Sequence, residues 1–404
     1  MIFLFPLFCL SSFFFWIPYQ AFAYPEMVRH GYVHCSTCHF SVSGGDLVTA
    51  YGRALGREVF AKKYSEPAVE KPSIEEASAA EASSEEVANE AASTENPPVA
   101  ASPSAEEDSL DWFRGGLNLR LLQTYLDNSQ VTRGRFMVMQ LDVDAALIWQ
   151  RWKTYFSIGR FEPKLTQTNW TDYFYSPRHW VSFDILNGEE DDLLILKAGR
   201  FLPAYGVMIP EHAYVTRTLT QLGPGQERKA IELAWIRESI ELILTRIEGR
   251  YKFSEAEREN GWAFQGAVTA TGRSKIGLNS YRTKLEGEKK TAMDGLFLLV
   301  AWSELWSSLF QVDRLYLPNG KNGALNLLKL DYQWRPKTQI FFTQEYANTD
   351  IEKTEPHFRA LGAGFKHFFR ANIDLMATFR AEKNTAVLNE ESKVFWLILH
   401  WSEN

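Results

Sequence analysis

The chain has 404 residues, of which 45% are hydrophobic and 14% aromatic, and its formal net charge is -7. That balance offers no overall basic footprint, so no nucleic-acid partner is expected. Past the first residues no run approaches the ~20 apolar residues of a membrane helix, which argues against further helical spans but leaves spanning strands open.

Residues Ile2 to Phe15 are almost wholly apolar, and Ala21-Phe22-Ala23 offers a small-residue cleavage site before Tyr24. Residues 1–23 therefore read as a secretory signal peptide, although no Lys or Arg precedes the apolar run. The alternative, an uncleaved anchor, sits poorly with Pro6 and Pro18.

Residues 24–63 form a candidate module centred on Cys35-Ser36-Thr37-Cys38-His39. This is the spacing of a covalent attachment site for one c-type haem: two thiolates add to the vinyl groups, and the adjacent imidazole binds the iron from one side. Cys9 falls in the leader, so Cys35 and Cys38 are the cysteines left after cleavage. Two other readings stay open: a zinc site formed by Cys35, Cys38 and His39 with His30 or His34, and a plain disulfide. An exported chain favours haem over zinc. So short a module seldom folds without a staple, which the haem would supply.

Gly44-Gly45 permits a tight turn, and Asp46 is expected to cap a helix running to about Ala61. Leu47, Tyr51 and Leu55 would then share one stripe of that helix. Arg53 and Arg57 suit either haem propionates or a solvated face. For the iron's second ligand, Met27, His30 and His34 are local candidates, and Met208 and His212 are distant ones. His30 is preferred, because a short loop can deliver it, whereas His34 is poorly placed beside Cys35.

Residues 64–110 are rich in Ala, Ser, Pro and Glu. From Ser65 to Asp111 thirteen acidic residues stand against Lys71 alone, a net -12 that leaves the rest of the chain at +5. With so little to bury, the segment reads as a disordered tether held open by self-repulsion.

From Trp112 the pattern changes to period two. Met137, Met139, Leu141, Val143, Ala145, Leu147 and Trp149 share one face, with Gln140, Asp142 and Asp144 on the other. The same alternation recurs at Lys329–Arg335 and Asn372–Arg380. Sixteen strands can be placed between 112 and 402, with tight turns near Gln150, Asn187, Glu238, Arg273, Glu304, Pro336 and Arg370 alternating with longer loops. Residues 111–404 are thus expected to form a transmembrane antiparallel β-barrel of about 16 strands, apolar outside and polar within. Its even strand number would put both barrel ends, and hence the entry of the module, on the periplasmic side. The longest connection, Leu202 to Gln226, would be the third external loop, and it contains Met208 and His212.

Tyr24-Pro25 through Cys35–His39 to Tyr51-Gly52-Arg53, followed by a barrel, resembles the fused outer-membrane monohaem cytochrome–porins, a family with iron-oxidising members. The resemblance rests on motif over the module and on architecture beyond it. It implies haem c on Cys35 and Cys38, His39 as proximal ligand, and a cytochrome that plugs the barrel. It also implies electron flow between periplasmic carriers and an extracellular donor or acceptor such as Fe(II). The acidic tether departs from the family pattern. The expected function is electron transfer across the outer membrane, with outer-membrane lipid as a further partner. The alternative is a diffusion porin whose haem module plugs or gates the pore. No residue pattern reads as a hydrolase or transferase site, and a peroxide-using haem enzyme would need a distal His–Arg pair that is not evident.

Overall fold

The computed structural model describes residues 25–42, 44–56, 59, 112–161, 174–187, 192–209, 214–223, 225–250, 259–285, 290–317, 319–353, 356–385 and 388–403. The leader 1–23, the tether 64–110, Arg57 and His212 lie outside the described residues.

Among the described residues, period-two sequence has become sixteen antiparallel strands. They are β1 (Phe113–Asp127), β2 (Thr132–Trp149), β3 (Trp152–Phe161), β4, β5 (Leu193–Phe201), β6 (Arg228–Arg237), β7 (Ile240–Arg250) and β8 (Glu259–Thr271). There follow β9 (Ser274–Leu285), β10 (Lys290–Ala301), β11 (Trp306–Tyr316), β12 (Asn322–Arg335), β13 (Thr338–Asn348), β14 (Phe358–Arg370), β15 (Ile373–Asn384) and β16 (Leu388–Glu403). Strand β4 is in two pieces, Phe174–Tyr175 and His179–Asn187, both laddered onto β3. Each strand pairs with its sequence neighbours, and β1 closes the ring on β16 from Leu117↔Glu403 to Asp127↔Lys393. Closure satisfies the backbone groups that an open edge would strand in lipid.

The side chains are distributed inside out relative to a soluble sheet. Outward positions are apolar and bare: Val143, Leu147, Leu278, Phe342, Leu361 and Phe379 are all exposed. The intervening Asp142, Asp144, Asn279, Thr343 and Thr378 are buried in the interior. Trp149, Trp152, Trp302, Trp306, Trp334 and Phe369 stand outward beside the tight turns, the position of an interfacial aromatic girdle. No described helix is long and apolar enough to cross a membrane.

The connections at the opposite end depart from expectation. Asn128–Val131, 286–289, 317–321 and 385–387 are short, because the strands there keep pairing beyond the stretch of apolar alternation. The connection between β5 and β6 remains the longest. It turns inward: Tyr205, Val207, Ile209, Tyr214, Val215 and Leu222 are buried, and its short helix α2 (Val215–Thr218) lies against β12 and β13.

The N-terminal segment is inside as well. Val28 clusters with Val207, Phe297, Leu309 and Leu327, while Val42 does so with Ile195, Ala234 and Ile243. Leu47 lies among Tyr155, Trp180, Phe201 and Ala230. Apart from Val207 of the β5–β6 connection, these partners come from strands β3–β7 and β10–β12.

Candidate functional site

The Cys–His motif is shaped by a local turn. Cys35–Thr37 is one turn of 3-10 helix, in which Cys38 N donates to Cys35 O at 3.2 Å and His39 N to the same oxygen at 2.9 Å. A 3-10 turn brings residues three apart into line, so both thiols fall on one side. The chain then doubles back. Phe40 N donates to Leu47 O, Thr49 N to Cys38 O, and His39 bridges Val48. Gly44 (φ 77°), Gly45 (φ 73°) and Asp46 (φ 58°) make the reversal with three successive left-handed residues.

Asp46 is therefore not the helix cap. Helix α1 begins later than expected, its described residues being Ala50–Gly56, and Thr49 caps it by accepting a 3.0 Å bond from Gly52 N. The expected stripe divides accordingly. Leu47 precedes the helix and packs on the wall, Leu55 packs with Met27, Cys38 and Phe368, and Tyr51 is exposed with its hydroxyl 3.0 Å from that of Tyr32. Arg53 donates back to Val48 O. Gly52 lets the helix lie directly on the motif: a Cβ there would stand 2.5 Å from Cys38 O.

Polar contacts fix the segment to the inner wall. Arg29 reaches Ser307 and Gln333, Lys275 Nζ donates to Val33 O at 3.1 Å, and Lys197 Nζ donates to Ser41 Oγ at 3.3 Å. Asp46 accepts from Arg178 Nη1 at 2.7 Å and from Trp180 Nε1 at 3.0 Å. His34 lies 3.3 Å from Glu241 Oε2 through Nδ1 and 3.2 Å from Glu238 O, at the β6–β7 turn, through Nε2. The motif thus lies at the tight-turn end and Asp46 projects further along the lumen.

Between this segment and the β5–β6 connection lies a cavity. Cys35, Cys38 and His39 line it from one element, Gly206, Val207 and Met208 from another, and Glu241, Gln265, Lys275, Phe297 and Leu299 from the barrel. The two thiols are free. Burial pushes the Cys35 thiol up, with Lys275 opposing, and burial with the neighbouring Cys35 pushes Cys38 up to about 12. Both thiols and the His39 imidazole line this one cavity, the donor set that a covalent haem requires. Gly44 keeps the space beside them clear, since a Cβ there would sit 3.4 Å from Cys35 Sγ. On these observations the residues fit a covalently held haem.

The structure does not bring together every residue singled out in the sequence. Met27, His34 and Met208 line the cavity with Cys35, Cys38 and His39; His30 is exposed and does not line it. Among the described residues no three His, Cys, Asp or Glu side chains gather as a metal site. Sequence reasoning missed Glu241, Gln265 and Lys275, which form a connected group: Gln265 Nε2 and Lys275 Nζ donate to Glu241 at 3.0 and 2.8 Å. Alternation marks each as inward-facing, but only ring closure reveals that they meet.

No protein-family model and no curated protein matches this chain. Solved structures do match. OprB of Pseudomonas putida is similar over 72% of this chain and 94% of its own, with a TM-score of 0.55 at 10% identity. OmpF of Salmonella typhi, solved with daunomycin, gives 0.54 at 5% identity over 72% and 97%. The anion-selective porin from Comamonas acidovorans gives 0.52 at 10% identity over 72% and 99%. At these identities the likeness is one of fold, and the fold is that of the outer-membrane porin-type barrels.

Proposed function

We propose that this protein resides in the outer membrane, carries one haem c on Cys35 and Cys38 with His39 as iron ligand, and passes electrons between periplasmic carriers and an extracellular donor or acceptor. One observation carries the reading: the complete attachment motif lines a cavity inside the barrel, shared with the inward-folded third connection. The haem, when bound, supplies a one-electron centre whose potential is set by ligands, burial and nearby dipoles. The chain's own residues do the rest. Apolar side chains exclude water from the site, and Glu241 and Lys275 set the local field. The closed wall insulates the site from lipid.

Outer-membrane residence is supported by the closed ring, the bare apolar exterior and the aromatic girdle. The tight turns belong on the periplasmic side in this barrel class, so the motif would sit near periplasmic carriers. Fe(II) is one external donor consistent with the reading.

Purified protein should show a covalent haem spectrum that changes on reduction. In liposomes enclosing a redox dye, an impermeant external reductant should change the dye. Unchanged dye around haem-loaded protein would sink the proposal.

A second reading is favoured by the fold neighbours, one of which is described as an anion-selective porin: a diffusion pore that the N-terminal segment plugs. It requires ion conductance in planar bilayers that persists in a Cys35→Ala, Cys38→Ala protein, together with no dye reduction by the wild type.

A further inference from the structure

Resting on the haem reading, we propose that Met208, from the β5–β6 connection of the barrel, is the second axial ligand of the iron. The haem would then tie the N-terminal segment to the barrel through His39 on one element and Met208 on the other.

The position of Met208 is prepared by its neighbours. Gly206 takes a left-handed conformation (φ 64°) close against Gln311 of β11. Val207 N donates to Gln311 Oε1 at 3.3 Å, and Val207 O accepts from the buried Arg217 guanidinium. Val207 and Ile209, on either side of Met208, are both buried in the cluster that holds Val28, Phe297 and Leu299. Met208 itself is half-buried and lines the cavity with the motif. It lies near Cys35 across Gly44: a Cβ on Gly44 would be 3.4 Å from Cys35 Sγ and 3.9 Å from Met208 Cβ.

The other candidates are otherwise engaged. His34 has both ring nitrogens within hydrogen-bonding distance of Glu241 and Glu238. His30 does not line the cavity. Met27 does, but it is buried in a cluster with Cys38, Leu55 and Phe368. Coordination by Met208 uses a lone pair of the neutral Sδ, so no proton or electron is exchanged when the bond forms. A thioether opposite an imidazole raises the potential relative to two imidazoles, which suits an acceptor of electrons from a weak reductant.

The test uses full-length protein in detergent, with haem content and heat-modifiable mobility checked for each variant. Ferric wild type should show the methionine–iron charge-transfer band in absorption and near-infrared magnetic circular dichroism. Met208→Ala should lose the band and shift the potential downward while keeping covalent haem. Met208→His should replace the band with a bis-histidine signature, and Met27→Ala should retain it. A band that survives Met208→Ala, or that is absent from haem-loaded wild type, overturns the assignment. Wild type without covalent haem overturns instead the reading beneath it, and the assignment with it.

Discussion

Asp46 of the N-terminal segment accepts a 2.7 Å bond from Arg178 of the barrel wall, and the two side chains are largely shielded from water. Arg178 also lies 3.4 Å from Asp142 on β2, so one guanidinium joins the segment to a buried carboxylate of the wall. The left-handed turn at Gly44-Gly45-Asp46 aims the carboxylate there, which makes local backbone conformation responsible for long-range seating.

Replacing Asp46 with Ala should therefore loosen the segment without unfolding the barrel. The loss should be about 1–3 kcal/mol, the typical cost of leaving a buried polar group unsatisfied, moderated here because Asp142 still faces Arg178. Limited proteolysis should cut the segment faster, while heat-modifiable mobility stays that of wild type. Equal protection of the segment in both proteins would show that the ion pair does not seat it.

Facing predicts opposite outcomes at adjacent residues of β13. Phe342 points to lipid and Thr343 into the filled interior. Phe342→Arg should impair insertion by about 2–4 kcal/mol if it lies near the bilayer midplane. Thr343→Ala should cost about 1 kcal/mol or less. Folding into lipid vesicles, followed by gel mobility, measures both. Comparable losses from the two substitutions would mean the strand is turned the other way.

The thiols should be sluggish nucleophiles before haem is attached. Burial pushes both upward, Cys38 to about 12, so little thiolate exists near neutrality. In protein prepared without haem, iodoacetamide should label Cys38 far more slowly at pH 8 than it labels the same residue in denatured chain. The rate should climb as pH approaches about 12, since each pH increment below the pKa raises the thiolate fraction. Labelling as fast as in denatured chain at pH 8 would mean that the site is open or the segment unseated.

How much of this was legible in the sequence follows from which interactions are local. The strands of residues 112–403 were readable because lipid outside and polar groups inside impose a strict period of two, as at Val143 between Asp142 and Asp144. The last strand follows the same rule, with Phe395 and Leu399 outward and Ile398 and His400 inward. The turn at Gly44-Gly45 was readable for the same reason, since glycine tolerates the left-handed region. The helix cap was misread because Asp46 and Thr49 are both good capping residues, and only the long-range demand of Arg178 and Trp180 for Asp46 decides between them. The convergence of Met208, Glu241 and Lys275 on the motif was illegible, because it depends on ring closure and on the direction in which one connection folds.

Gly52 offers the sharpest local test of the motif's architecture. A Cβ at this position would lie 2.5 Å from Cys38 O, 2.9 Å from Cys38 Cα and 3.0 Å from Cys38 Cβ. These are backbone and near-backbone atoms, so no side-chain rotation relieves the clash. Either α1 lifts from the motif or the Cys35–His39 turn distorts, at a cost of about 1–3 kcal/mol typical of overpacking. Because Leu55 on the same helix packs with Met27, Cys38 and Phe368, the displacement would also open that cluster. Gly52→Ala should lower the fraction of assembled barrels that carry haem, read by haem staining at equal barrel amounts. Gly272→Ala is the control, since nothing lies within 4 Å of a Cβ there. Full haem loading in Gly52→Ala would show that close contact between helix and motif is not needed for attachment.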